Sequence, residues 1–314
     1  MGGGGTVAAV TRAAMMSRGL GQGRTVVAAA TWLVATSLTA CRDVATTVPR
    51  LEPAAAVMVG AGDIATCASD GRHRTAAVMD TVPGTAFTLG DNAYENGATE
   101  DFRDCYDPSW GRFRGRTRPA PGNHEFIQPG AGPYFAYFGA AAGDAGKGWY
   151  SYELGTWHVI VLNSDDSLVG DLEQQAWLRA DLASSPSLCV LAYWHHPRFS
   201  SGQHGDATSV ASFWRTLYAA GADVVLSAHD HDYERFAPQT PDGEGDPARG
   251  IREFVAGTGG AALRPFAVVK PNSEVQRSAH GVLRLTLAAG SYGWTFIAAD
   301  GTGRALDAGE GRCH

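Results

Sequence analysis

Five short stretches of this chain carry residues that bind metal ions: Gly62-Asp63, Gly90-Asp91-Asn92-Ala93-Tyr94, Gly122-Asn123-His124-Glu125, Trp194-His195-His196-Pro197 and Ala228-His229-Asp230-His231. Singly, each has an ordinary explanation. A Gly-Asp pair after a strand makes a turn, and Gly-Asn-His-Glu can open a helix. Together they supply carboxylate, phenol, amide and imidazole donors, a set that suits Zn, Fe or Mn rather than Ca. A carboxylate can hold two cations at the roughly 3.5–4 Å separation that two-metal hydrolysis uses. Two cations acidify a shared water and neutralise an anionic ester, so hydroxide can attack it near neutral pH.

These groups need a scaffold that brings them together. Each follows an apolar run of strand length: residues 56–60, 85–89, 117–120, 188–194 and 223–227. Helix-period stretches lie at 171–183 (Leu172, Ala176, Leu178, Leu182) and 208–220 (Val210, Phe213, Trp214, Leu217), the second stopped by Gly221. Strand–helix alternation implies right-handed crossovers and a largely parallel sheet. The carboxyl ends of such strands form the ligand crevice, and all five candidate groups fall there. Residues 150–154 and 157–163 read as a hairpin around Gly155-Thr156, and 251–257, 282–288 and 292–298 read as further strands. A second sheet is therefore expected to pack on the first. No internal repeat is apparent.

As a set, the blocks resemble those of the calcineurin-like metallophosphoesterases, and more narrowly the purple acid phosphatase branch, over residues 55–313. The resemblance implies an α/β fold, a four-layer αββα sandwich with two central mixed β-sheets. It implies a first metal held by Asp63, Asp91, Tyr94 and His231. Asp91 bridges to a second metal that also takes Asn123, His195 and His229. The wider family carries Asp-x-His in its first block, whereas this chain has Asp63-Ile64-Ala65. Tyr94 then fills the vacancy, and the hard oxygen donors Asp63, Asp91 and Tyr94 with one imidazole, His231, match Fe(III), with Zn, Fe(II) or Mn at the second position. The last block opens with Ala228 where glycine is usual. Aligned on Pro197, the family ligand is His195. His196 should point the other way, as neighbours on a strand do, in a supporting role.

Two histidines are candidate catalytic acids: His124, and His204, which matches one that purple acid phosphatases carry nine residues after the His195 ligand. The implied activity is hydrolysis of phosphate monoesters by attack of a metal-bound hydroxide. Phosphodiester or nucleotide hydrolysis at the same centre is the alternative, and a metal-binding surface protein without catalysis is a third reading.

The bulk composition agrees. With 44% hydrophobic and 18% charged residues the chain is globular. Its net charge of -7 argues against a nucleic-acid partner; the resemblance implies a small phosphorylated substrate. Arg112, Arg114, Arg116 and Arg118 form either a solvated face or an anion-steering one. Arg12, Arg18 and Arg24 precede an apolar run at 25–40 that reads as an export signal. The run ends Leu38-Thr39-Ala40-Cys41, which resembles the lipobox of bacterial lipoproteins. Residues 1–41 are thus expected to be a signal peptide, with a lipid anchor on Cys41 or simple cleavage after Ala40. Residues 42–54 make a tether, and 55–314 the catalytic domain, working outside the cytoplasm as a secreted or membrane-anchored protein. Four further cysteines lack a Cys-x-x-Cys pair, which argues against structural zinc. In an oxidising compartment they suggest two disulfides with three open connectivities. Cys67–Cys105 and Cys189–Cys313 are expected, the second tying down the tail.

Overall fold

The computed structural model describes residues 54–314. The expected signal peptide, Cys41 and all but the last residue of the tether lie outside the described residues. In chain order the elements are β1 (Ala56–Ala61), α1 (Gly71–Asp80), β2 (Thr85–Leu89), α2 (Thr99–Asp101), β3 (Thr117–Ala120), α3 (Gly132–Phe138), β4 (Tyr150–Leu154), β5 (Trp157–Val161), α4 (Leu172–Ser184), β6 (Cys189–Tyr193) and α5 (Ala211–Ala219). There follow β7 (Val224–Ser227), β8 (Tyr233–Phe236), β9 (Arg252–Ala256), β10 (Ser273–Arg277), β11 (Gly281–Ala288), β12 (Ser291–Ala298) and β13 (Ala305–Arg312).

The strands form two mixed sheets. One runs β13-β12-β11-β1-β2-β3 and the other β10-β8-β9-β7-β6-β5-β4. Parallel pairing is confined to β1-β2-β3 and to β5-β6-β7-β9. Antiparallel strands complete each sheet.

Alternation along β1 explains the layering. Met58 faces the second sheet, while its neighbours Val59 and Ala61 face outward. Between the sheets Met58, Phe87 and Leu89 meet Trp157, Leu191 and Phe254. On the outer face of the first sheet Val59 and Ala61 pack with Ala76 and Met79 of α1 and with the aromatic residues of α3. On the outer face of the second, Ile160 and Ala192 pack with Leu178 of α4 and with Phe213, Trp214 and Leu217 of α5. Three apolar layers separate four structural ones, as the family resemblance implies.

Local chemistry adjusts the expected elements. The hairpin ends at Val161, two residues early. Leu172 does not join the buried face of α4 and is 82% exposed. Two buried glutamines do that work at its N-terminal end. Gln174 accepts from Asn163 N and donates to Asn163 O and Leu168 O. The arginine run secures local structure: Arg112 pairs with Asp80 and Arg116 donates to Met79 O and Gly84 O. Arg114 lies over Tyr137 and Arg118 over Tyr152.

Both expected disulfides are formed, Cys67–Cys105 and Cys189–Cys313, in keeping with folding in an oxidising compartment. The second spans 124 residues and ties the tail to β6. Among the described residues, no helix is long and apolar enough to cross a membrane.

Candidate metal centre

The five motif loops leave the carboxyl ends of β1, β2 and β3 in one sheet and of β6 and β7 in the other. Backbone bonds carry the ladder past the strand ends. Asp63, Ile64 and Ala65 donate to Gly90 O, Asp91 O and Asn92 O, and Tyr94 N returns to Ala65 O. Ala228 N donates to His195 O and joins the second pair of loops. Glu125, fully buried, accepts from Asn92 N at 2.8 Å and Gly122 N at 2.8 Å. Burial and the nearby Asp91 push its carboxyl up to about 8. It is the brace between the Asp91 and Asn123 loops, a role that its place in the motif did not disclose.

Asp63, Asp91 and His229 adopt φ of 54°, 48° and 70°. Left-handed backbone costs a non-glycine residue on the order of 1–3 kcal/mol. Such outliers persist where the surroundings over-determine them, and here they aim three candidate ligands inward.

The side chains form two groups around one oxygen. Tyr94 OH donates to Asp63 Oδ1 at 2.6 Å and lies 3.0 Å from Asp91 Oδ2, and His231 Nε2 lies 3.3 Å from the phenol oxygen. On the other side His195 Nε2 is 3.3 Å from the same Asp91 Oδ2, 3.0 Å from Asn123 Oδ1 and 3.1 Å from His229 Nδ1. Asp91 Oδ1 is occupied by the His124 backbone N–H at 2.9 Å. Only Oδ2 of Asp91 therefore faces both groups.

The residues fit metal ions. His195 Nδ1 faces Leu89 O at 2.8 Å and His231 Nδ1 faces Ala262 O at 2.7 Å. Each Nδ1 must be the donor, because a carbonyl only accepts. In neutral rings both Nε2 lone pairs then point at carboxylate, amide and imidazole acceptors. Acceptors crowded on a shared space call for a cation between them. Buried Asp63, Asp91 and His195 bring ligand atoms within 4.8 Å of one another.

His196 departs from expectation. A nitrogen of His196 lies within 4.8 Å of those of His195 and His229, so the two adjacent rings converge. The reason is local: β6 ends at Tyr193, and strand alternation no longer applies at a bend. His196 Nδ1 is 2.9 Å from Ser164 Oγ, and burial, then His195, pushes the ring down to about 3.

The two candidate acids flank the centre. His124 packs on Tyr94 at 4.4 Å between ring centroids, and its Nδ1 is 2.5 Å from Glu95 O. His204 lies over His229 at 4.2 Å. Sequence did not single out two neighbours of His204. Arg264 donates to His204 Nε2, and Asp230 accepts from His204 N, Gly205 N and Ser200 Oγ. Asp230 could have been suspected as an acid between two ligands. Arg264 carried no signal beyond being a lone arginine after a glycine- and alanine-rich stretch.

The calcineurin-like phosphoesterase family model matches residues 58–233, more than half of the chain. The chain belongs to the calcineurin-like phosphoesterase family. Within it, the chain is similar to purple acid phosphatase 18 of Arabidopsis thaliana, 32% identical over 44% of this chain and 34% of that one. It is also similar to a protein of the same plant named "Probable inactive purple acid phosphatase 1", 25% identical over 64% of this chain and 38% of that one. The chain thus spans about a third of the length of these relatives. A purple acid phosphatase from yellow lupin seeds shares the fold, with a TM-score of 0.68 at 18% identity over 82% of this chain and 53% of that one. Likeness to purple acid phosphatases implies a centre for two metal ions.

Protonation of this centre should depend on whether metal is bound. Burial disfavours a charge on His195, but Asp91 outweighs it and raises the imidazole to about 9. His229 is driven the other way, by burial and then by His195 and His196. In the metal-free protein a proton on His195 takes the place a cation would have, and a metal bound through His195 would have to displace it. The folded pKa is raised, so that proton is held throughout pH 6.5 to 9. Metal affinity is therefore expected to climb about tenfold per pH unit across this window. Calorimetric loading in buffers of different ionisation enthalpy counts the protons released. An affinity flat with pH and no proton release would exclude His195 as a ligand.

Proposed function

We propose that the chain is an extracytoplasmic, binuclear metal-dependent phosphatase acting on small phosphate monoesters. The observation that carries this reading is the single oxygen, Asp91 Oδ2, set between the Tyr94 hydroxyl at 3.0 Å and His195 Nε2 at 3.3 Å. Asp63, Asp91, Tyr94 and His231 would hold one ion, and Asp91, Asn123, His195 and His229 the other. Bound there, two cations supply an acidified water and neutralise the phosphate oxygens.

The protein's own groups do the rest. A cavity of about 310 Å³ opens over the centre, lined by Tyr94, His124, His231 and Arg264. Arg264 has no carboxylate partner among the described residues; its guanidinium donates to His204 Nε2, and its remaining N–H groups would meet a phosphate. A cation there favours a dianionic monoester over a singly charged diester. His124 stabilises the phosphate from the Tyr94 side. His204 gives its proton to the leaving oxygen, and Asp230 fixes the loop that carries it. Comparing kcat/KM on nitrophenyl phosphate and bis(nitrophenyl) phosphate tests the substrate class. The monoester is expected to be preferred, and a diester preference would transfer the reading to phosphodiesters.

His204 leads to a pH prediction. Burial, then Arg264, lowers its pKa from 6.5. The acid form is therefore lost as pH rises through a value below 6.5. Turnover of poor leaving groups such as alkyl phosphates should fall on an alkaline limb centred there. General acid catalysis contributes about 10²–10⁴-fold, so His204→Ala should cost alkyl phosphates that much and nitrophenyl phosphate far less. Equal losses on both substrates would refute the acid role.

A further inference from the structure

Next to the metal cavity lies a second one of about 430 Å³, and Leu263 lines both. Its walls carry Arg74 from α1, Arg277 from the end of β10, Arg304 from just before β13, and His280. Three guanidinium groups around one cavity stand out in a chain of net charge -7. Elsewhere Arg72, Arg116 and Arg198 donate to backbone carbonyls, and Arg103, Arg112, Arg215, Arg235 and Arg252 are ion-paired. Among the described residues none of these three is, although Asp300 shares the wall.

Arg277 is fixed by donating to Gln276 O and Leu306 O. Arg74 and Arg304 donate from their side chains to no described residue. His280 Nδ1 is buried without a hydrogen-bond partner. Its ring lies on Gly71, where a Cβ would come within 2.3 Å of it. The ring thus occupies space that only glycine leaves at that position. On the other side of Leu263, Arg264 extends the positive charge into the metal cavity.

We propose that the second cavity is an anion subsite that takes a further phosphate on the leaving group. The preferred substrates are then small molecules bearing two or more phosphates. This rests on the phosphomonoesterase reading and adds a substrate class to it. A guanidinium fork matches phosphate oxygens in pairs, and two unpaired forks in one cavity suit a dianion. Because the cavity is open to solvent, salt should weaken the preference.

The test compares α,ω-alkanediol bisphosphates of graded length with the matching monophosphates on the metal-loaded protein. At the length that spans the two cavities, KM for the bisphosphate is expected to be about tenfold lower, the effect of one charge-assisted contact. In the double variant Arg74→Gln/Arg304→Gln the bis-to-mono ratio of kcat/KM should fall to that of the short, non-spanning compounds. The control variant Arg103→Gln/Arg112→Gln, altered outside the cavity, should keep the wild-type ratio. No preference at any length, or a preference that survives the double variant, overturns the subsite. If the wild type hydrolyses none of these esters, the phosphatase reading fails, and the subsite is judged by calorimetry with the corresponding bisphosphonates. Binding lost in the double variant then supports it, and equal binding overturns it.

Discussion

Asp91→Ala is expected to remove hydrolysis and bring bound metal towards zero. Among the described residues no other side chain places one oxygen against both donor groups, with Tyr94 OH at 3.0 Å and His195 Nε2 at 3.3 Å. Without it, each ion held there would lose a ligand, and two like-charged ions would lose the anion between them. Removing one preorganised electrostatic contact alone costs about 10²–10³-fold, so a loss beyond about 10³-fold is expected. Asp91→Asn keeps the shape and loses the charge, and should be nearly as severe. The two disulfides and the three apolar layers do not depend on Asp91, so circular dichroism should remain that of the wild type. An Asp91→Ala protein that retained two ions would show that another group bridges them.

Tyr94→Phe should remove a colour. The phenol is buried, and burial together with Asp63 and Asp91 raises its pKa well above 10. In the metal-free centre Tyr94 is thus a neutral donor to those carboxylates. Only a strongly Lewis-acidic cation among the same oxygens reverses that sign and draws off the proton. Asp63, Asp91 and Tyr94 with one imidazole make a hard donor set matched to Fe(III). Ala65 offers no ligand where the wider family has histidine. The protein as isolated is expected to contain iron and to absorb in the visible by phenolate-to-metal charge transfer. Phenylalanine keeps the ring that packs against His124 at 4.4 Å, so the fold should persist while the band disappears. A colourless wild type with two zinc ions would reject the iron assignment and leave the hydrolytic one standing.

How much of this was legible in the sequence depended on how each residue does its work. β1, β2, β3, β6 and β7 were readable because their apolar runs end in ligand-type residues. β13 was not, because Ala-Leu-Asp-Ala-Gly-Glu-Gly-Arg has no apolar alternation. Its glycines lie opposite aromatic residues, Gly309 facing Trp294 and Gly311 facing Tyr292. A Cβ at either would come within 2.3 Å of the ring. The partner strand supplies the apolar cover, which a single strand's pattern cannot disclose. β8 and β10 stayed hidden for a related reason: Glu234 is fully buried and is satisfied by Ser201, Ser273 and Gln276 from distant segments. At the centre, donor types were readable from motif spacing. Asp230, Glu125 and Arg264 act through contacts with other loops, and their spacing carries no trace of that.

The central claim, two metal ions held for phosphate-ester hydrolysis, is tested most directly by titrating metal back into chelated protein while following nitrophenyl phosphate turnover. Activity is expected to vanish on chelation and return in proportion to metal, reaching its plateau at two ions per chain, as a two-metal site requires. Full turnover with no bound metal, or two bound ions with no turnover of any phosphate ester, would contradict it.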